Sequence, residues 1–174
     1  MVADNGARGQ GGLLLIARES WGELWLGVVC ERLRPTGMLS LIYARSLDYC
    51  IGRRGQVPWH LPDEFAHFQR TTLNHAVIMG RKTYEDHNSL LPDRLNIVLT
   101  TVPGYTAAPG VVLARSFDEA LDLAGAETHE VFILGGVQLF ERSFPAARRV
   151  YETVVHTTVP EGDTFVPHFD FSGS

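Results

Sequence analysis

From Met38 onward, short apolar runs alternate with helical patterns, and two of those runs end on glycine just before a helix. The first is Ala76-Val77-Ile78-Met79 with Gly80, followed by Arg81-Lys82-Thr83. The second is Glu130 to Leu134, followed by Gly135-Gly136 and a helix through Phe144. Strands that alternate with helices predict an α/β fold around a mostly parallel sheet. Further strands are expected at Leu39 to Ala44, Leu95 to Thr100, Val111 to Leu113 and Val150 to Thr158. Asp48 to Val57 reads as a glycine-bearing loop. Pro62 opens a helix, where its missing N–H costs nothing. Ser116 caps another, with Glu119 three residues on as a capping box.

Before Met38 the pattern differs. Residues Met1 to Gly12 are polar and glycine-rich, and disorder is expected there. Leu13 to Ala17 and Leu24 to Cys30 are apolar runs separated by a polar stretch, which reads as a hairpin. Arg34-Pro35-Thr36-Gly37 is a connector. A chain of 174 residues is long enough for a single domain over 13–174 with a sizeable core.

Composition narrows the function. The net charge is −5 with no basic block, which argues against a nucleic-acid partner. Lys82 is the only lysine. Two cysteines, Cys30 and Cys50, and seven scattered histidines show no metal-ligand spacing, so no metal is expected. Both cysteines read as small buried apolar residues. The run at Leu13 to Ala17 is short for a signal core, and no stretch reaches the length of a membrane span. A cytosolic protein is expected.

Three features carry chemistry. The two glycine turns let a ligand approach the backbone, and helix N–H groups can hold phosphate. Arg81 and Lys82 stand at a helix start, where the macrodipole disfavours cations. An anion would account for them; a solvated basic turn is the alternative reading. Two such turns together suit a dinucleotide with an additional phosphate. The third feature is Glu64. Leu61, Phe65 and Phe68 share a helical stripe, and Glu64 lies beside it. Most helix carboxylates are solvated, but one held against aromatics would have a raised pKa suited to relaying a proton. Asp63 reads as a solvated dipole partner. His60 and His67 flank the acid, and a direct role is not assigned to them.

These pieces, in this order, resemble dihydrofolate reductase. The matching runs include Leu39-Ser40-Leu41-Ile42-Tyr43-Ala44, Ile51-Gly52, Val57-Pro58-Trp59-His60-Leu61-Pro62 and Val77-Ile78-Met79-Gly80-Arg81-Lys82-Thr83-Tyr84-Glu85. They continue with Leu91-Pro92-Asp93-Arg94-Leu95-Asn96, Ile133-Leu134-Gly135-Gly136 and Glu161-Gly162-Asp163-Thr164. The resemblance implies a three-layer α-β-α sandwich with a mixed, mostly parallel sheet. It implies reduction of 7,8-dihydrofolate to tetrahydrofolate, by hydride transfer from NADPH to pterin C6 with protonation at N5.

It also implies site residues. Glu64 would bind the pterin's 2-amino and N3 edge and promote N5 protonation. Trp59 would hold an ordered water, and Thr153 would hydrogen-bond the acid. Phe68 would stack on folate, with Leu91 beside it. Arg94 would pair bidentately with the glutamate tail, a geometry beyond lysine. Ile42, Tyr43, Ala44, Ile51 and Leu134 would line the pterin and nicotinamide pocket. Gly80, Arg81, Lys82, Thr83, Thr100 and Thr101 would hold the adenosine phosphates. Gly135 and Gly136 would carry a cis peptide beside the cofactor, continued by Val137, Gln138 and Leu139. The segment Gly52 to Val57 would be a mobile loop that closes over nicotinamide. A monomer is expected, and diaminopyrimidine antifolates are candidate ligands.

The chain departs from the family at several points. Val137 replaces a usual small residue, Tyr43 and His87 stand at positions commonly smaller or aliphatic, and Pro160 adds one residue before Glu161. Family members continue past Phe171 for two more strands. The hairpin at Leu13 to Leu33 is expected to occupy their place, as a circular permutation joined at Arg34 to Gly37. A related reductase of riboflavin synthesis and a non-catalytic folate- or nucleotide-binding protein are the competing readings. Trp59, Glu64 and Arg94 argue against the first.

Overall fold

The computed structural model describes residues 13–20, 25–32, 38–87, 90–125 and 130–171, the first two stretches by backbone alone. The expected disorder over 1–12, the joint at 34–37 and the side chains of Cys30 and His87 lie outside the described residues. The elements run β1 (Leu13–Ser20), β2 (Trp25–Arg32), β3 (Leu39–Ser46), β4 (Cys50–Gly52) and α1 (Pro62–Thr72). Next come β5 (Ala76–Gly80), α2 (Arg81–His87), β6 (Leu95–Leu99), β7 (Val111–Ala114) and α3 (Phe117–Ala124). The chain continues with β8 (Val131–Gly135), α4 (Val137–Ser143), β9 (Arg149–Val155) and β10 (Thr164–Phe165).

Eight strands form one sheet in the order β1-β2-β9-β3-β8-β5-β6-β7. The pairs from β9 to β7 are parallel, as short α/β connections require, while β2 meets both β1 and β9 antiparallel. The hairpin strands run further than their apolar cores suggest, because Arg18 to Ser20 join the ladder. The expected strand from Val150 to Thr158 stops at Val155. The short pair β4–β10 was not expected from sequence; two residues of β10 are too few to show a period.

Strand alternation divides the core in two. Leu41, Tyr43, Ile78, Ile97, Ile133 and Val150 face α3 and α4, whose Phe117, Ala120, Leu139 and Phe140 complete that layer. Ile42, Val77, Met79, Val98 and Phe132 face the other way, beneath Phe68 of α1 and Tyr84 of α2. Helices thus cover both faces of the sheet. Each fully buried side chain of this kind contributes about 2–3 kcal/mol relative to exposure. Ser116 caps α3 by accepting from the Glu119 N–H, and the Glu119 carboxylate reaches back to the Arg115 N–H.

Candidate active site

Helix α1 begins at Pro62 with Asp63 and Glu64 in its first turn and ends with Arg70 in its last, an arrangement matched to the dipole. It stops at Leu73, and Asn74 then adopts a left-handed conformation (φ 61°) that turns the chain into β5. The helix lays Glu64 and Phe68, one turn apart, toward the sheet. Glu64 is half-buried, and burial alone pushes its carboxyl up to about 7. Phe68 packs on the Ile42–Phe132 layer together with Leu91 and Leu134. Phe65 does not share this burial. It is 59% exposed and only stacks on Phe68 from outside, at 6.4 Å between centroids.

Beneath α1, the period of two brings Ile42 and Ala44 of β3 to the same face. They lie opposite Tyr151 and Thr153 of β9 in register. Thr153 is 3% exposed. The expected bond from Thr153 to Glu64 is absent among the described residues, consistent with burial being the whole cause of the shift. Tyr43 corrects the expectation that it lines this pocket. Consecutive strand residues point to opposite faces, and its ring lies in the other layer, against Phe140 and Phe169. Ile51 is likewise grouped with that layer rather than with Ile42 and Leu134.

The Trp59 indole N–H is buried and has no hydrogen-bond partner among the described residues. Buried donors are nearly always satisfied, so this one calls for an acceptor from ligand or solvent. The ring also borders a cleft of about 500 Å³ shared with Leu61 and the turn after β9. His60 is exposed, and His67 Nδ1 lies 3.5 Å from Thr71 Oγ1.

Arg94 sits at the far end of α1. Its Nε donates to Thr72 Oγ1 at 2.9 Å, and Nη2 donates to the Gln69 carbonyl and side chain at 3.0 and 2.5 Å. Nη1 donates to the Pro92 carbonyl at 2.6 Å on the exposed side. Burial lowers its pKa somewhat, and a guanidinium stays charged regardless. Asn96 organises the turn that presents Leu91 and Arg94. Fully buried, it accepts from the Leu91 N–H and donates to the Leu91 and Arg94 carbonyls. Its signal in sequence is a lone amide inside the apolar strand Leu95 to Leu99.

The two glycine turns meet. The Gly135–Gly136 peptide is cis, and Gly135 has φ 125°. A Cβ on Gly136 would stand 3.6 Å from Thr83 Oγ1, and one on Gly80 would stand 3.8 Å from Gly135 O and Gly136 N. Side chains there would fill a cradle of backbone polar groups. Arg81 pairs with Glu85 one turn on, at 2.9 Å, while Lys82 is exposed. Thr100, whose N–H bonds the Ala114 carbonyl, and exposed Thr101 follow β6. Val137 is half-buried and Gln138 exposed, whereas Leu139 is 6% exposed inside the core. The Leu139 side chain therefore packs the fold rather than facing a ligand, a correction that follows from its place on the inner face of α4.

The loop after β4 is tied down. Arg54 and Gly55 form a tight turn with positive φ (52° and 73°), closed by paired bonds between Arg53 and Gln56. The Arg54 N–H donates to Asp163 Oδ2 at 2.7 Å, and the Asp163 N–H donates to Gly52 O. A Cβ on Gly162 would collide with Cys50 Sγ, which accounts for the glycine beside this clasp. Among the described residues, no group of three or more His, Cys, Asp or Glu could hold a metal ion.

Comparison with known proteins agrees with this geometry. A family model described as dihydrofolate reductase matches residues 38–173. The dihydrofolate reductase of Bacillus subtilis (strain 168) is 40% identical over 135 residues, covering 78% of this chain and 79% of the relative. That of Haemophilus influenzae is 39% identical over 132 residues, covering 76% and 80%. A solved Enterococcus faecalis dihydrofolate reductase, complexed with NADP(H) and RAB-propyl, superposes with a TM-score of 0.72 at 38% identity, covering 77% of this chain and 79% of that one. With Glu64, Trp59 and Arg94 disposed around one face of the sheet and paired glycine turns at its strand ends, the chain belongs to the dihydrofolate reductase family.

Proposed function

We infer that this protein reduces 7,8-dihydrofolate to 5,6,7,8-tetrahydrofolate with NADPH. The observation that carries the reading is Glu64, an acid one helical turn before Phe68, half-buried and pushed up to about 7 by desolvation. A group with that pKa is both protonated and ionised near neutrality, as proton transfer requires. Ionised, it accepts from the amidine-like 2-amino and N3 edge of the pterin, which in turn favours the charged form. Protonated, it feeds N5 through a water held by the Trp59 indole N–H. Thr153 closes the polar side of the pocket, and Ile42, Ala44 and Leu134 form its apolar wall. Phe68 and Leu91 flank the substrate. Arg94, held from behind by Thr72 and Gln69, meets the glutamate carboxylate.

The cofactor would lie against Gly80, Thr83, Gly135 and Gly136, where the two glycine turns meet. NADPH, when bound, supplies the hydride. Lys82, Thr100 and Thr101 face its phosphates, and the 52–57 turn shields the reacting centre from water. The deciding assay follows NADPH absorbance with dihydrofolate and, separately, with an aminopyrimidine of riboflavin synthesis. Consumption with dihydrofolate alone is expected; consumption with neither by folded protein overturns the reading.

We also propose that residues 13–174 form one domain in which the β1–β2 hairpin takes the sheet position that family resemblance gives to a later strand pair. Its support is the seven-residue register of β2 on β9, with Gly27 opposite Thr153. Without it β9 would be a bare edge. Deleting residues 1–36 should abolish soluble, active protein; an equally active remainder overturns the idea. No helix among the described residues is long and apolar enough to cross a membrane. The proposed setting is a cytosolic monomer, checked by fractionation and gel filtration. Diaminopyrimidine antifolates would offer Glu64 the same edge as the pterin.

A further inference from the structure

Tyr43 sits directly behind the site. Its phenol donates to Glu152 Oε2 at 2.9 Å, and Arg45 Nη2 holds the other oxygen, Oε1, at 2.9 Å. The Arg45 and Glu152 side chains are 12% and 11% exposed. Tyr43 lies between Ile42 and Ala44, and Glu152 lies between Tyr151 and Thr153, all four of which face the site. The bond therefore ties β3 to β9 on the reverse of the substrate wall. The same Tyr43 ring meets Phe140 edge-on, with centroids 5.2 Å apart. Phe140 in turn supports the cofactor turn: a Cβ on Gly135 would stand 3.4 Å from its ring.

A buried ion pair is weak evidence for stability, because desolvation offsets its attraction. Its better attested use is to select one arrangement of the chain. Here the arrangement selected joins the strand of Thr153 to the turn of Gly135. We propose that Tyr43 is a positioning residue for the reduction, setting the spacing between the folate wall through Glu152 and the nicotinamide turn through Phe140. This rests on the dihydrofolate reductase reading above. It assigns to Tyr43 a task that its exclusion from the pocket leaves open.

The experiment compares wild type, Tyr43→Phe and the triple variant Tyr43→Phe/Arg45→Leu/Glu152→Leu, which removes the whole polar cluster. Thermal stability, the dissociation constant of NADPH, kcat, and the isotope effect on kcat with NADPH deuterated at the transferred position are measured for each. Tyr43→Phe keeps the ring on Phe140, so NADPH affinity should stay within about twofold while kcat falls about tenfold and the isotope effect rises. The triple variant removes phenol, carboxylate and guanidinium together, leaves no buried charge unpaired, and should regain thermal stability over Tyr43→Phe without regaining kcat. A purely structural role predicts the opposite, with rate returning alongside stability. Wild-type kcat and isotope effect in folded Tyr43→Phe, or rate recovery in the triple variant, overturns the proposal. Failure of the wild type itself to turn over dihydrofolate would instead strike the reading on which it rests.

Discussion

Ala44 of β3 and Thr153 of β9 are register partners on one face of the sheet, beneath the helix that carries Glu64. Strand alternation puts Ile42 and Tyr151 on that same face, so four side chains from two parallel strands form a wall opposite one acid. The wall is built by the sheet and the acid by a helix. Substitutions in the two should therefore fail differently.

Glu64 should lower stability at alkaline pH. Burial pushes its folded carboxyl from the ordinary 4.5 up to about 7, so the folded state holds the proton more tightly than the unfolded. Stability from this group is intact below pH 4.5 and falls as pH rises toward 7, by roughly 3 kcal/mol in all. Glu64→Gln, which mimics the neutral form, should raise the melting temperature at pH 8 and leave it unchanged at pH 4. Equal melting temperatures at both pH values would show that residue 64 is solvated.

Arg94→Leu should raise the KM for dihydrofolate about 10- to 100-fold with a smaller change in kcat, since the tail contact is remote from the reacting atoms. Arg94→Lys should recover little, because one ammonium cannot reproduce the planar fork that now bonds Thr72, Gln69 and Pro92. Steady-state kinetics with variable dihydrofolate decide it, and an unchanged KM contradicts the contact.

Gly135 and Gly136 should separate fold from cofactor binding. Gly135→Ala places a Cβ at φ 125° and 3.4 Å from Phe140, and should cost about 1–3 kcal/mol of stability. Among the described residues a Cβ at 136 meets just Thr83 Oγ1, at 3.6 Å, so Gly136→Ala should fold normally yet weaken NADPH about tenfold by filling the cradle. Denaturant melts and NADPH fluorescence titration read the two effects.

Asp163→Ala removes the acceptor of the Arg54 N–H. That bond is the main reason the Asp163 carboxyl is held below its usual range, so the clasp is electrostatically favoured. Its loss should speed amide exchange at Arg54 and lower kcat several-fold, by about the magnitude expected when a closing loop loses its clasp. Unaltered exchange would show that the turn holds itself.

Much of this was readable from residue order. Alternating apolar runs point to a mostly parallel sheet, and glycine after two of them marks the turns that meet beside Thr83. Pro62 fixed the start of the helix that presents Glu64. Face assignment was harder. Ile42, Tyr43 and Ala44 are apolar or aromatic alike, and only the pleat separates Tyr43 from its neighbours. Phe65 looked like Phe68, yet the sheet lies beneath one flank of α1 and leaves Phe65 outside. Leu139 follows the glycine turn in sequence but turns inward with α4. Asn96 and Asp163 act by bonding backbone far along the chain, which local pattern does not encode.

The most direct measurement is the pH profile of dihydrofolate reduction under saturating NADPH for wild type and Glu64→Gln. Wild-type turnover should depend on a group with a pKa of about 7, and Glu64→Gln should lose about 100-fold or more at neutral pH along with that dependence, while still binding NADPH. Normal turnover in Glu64→Gln, or the same titration surviving the substitution, would contradict it.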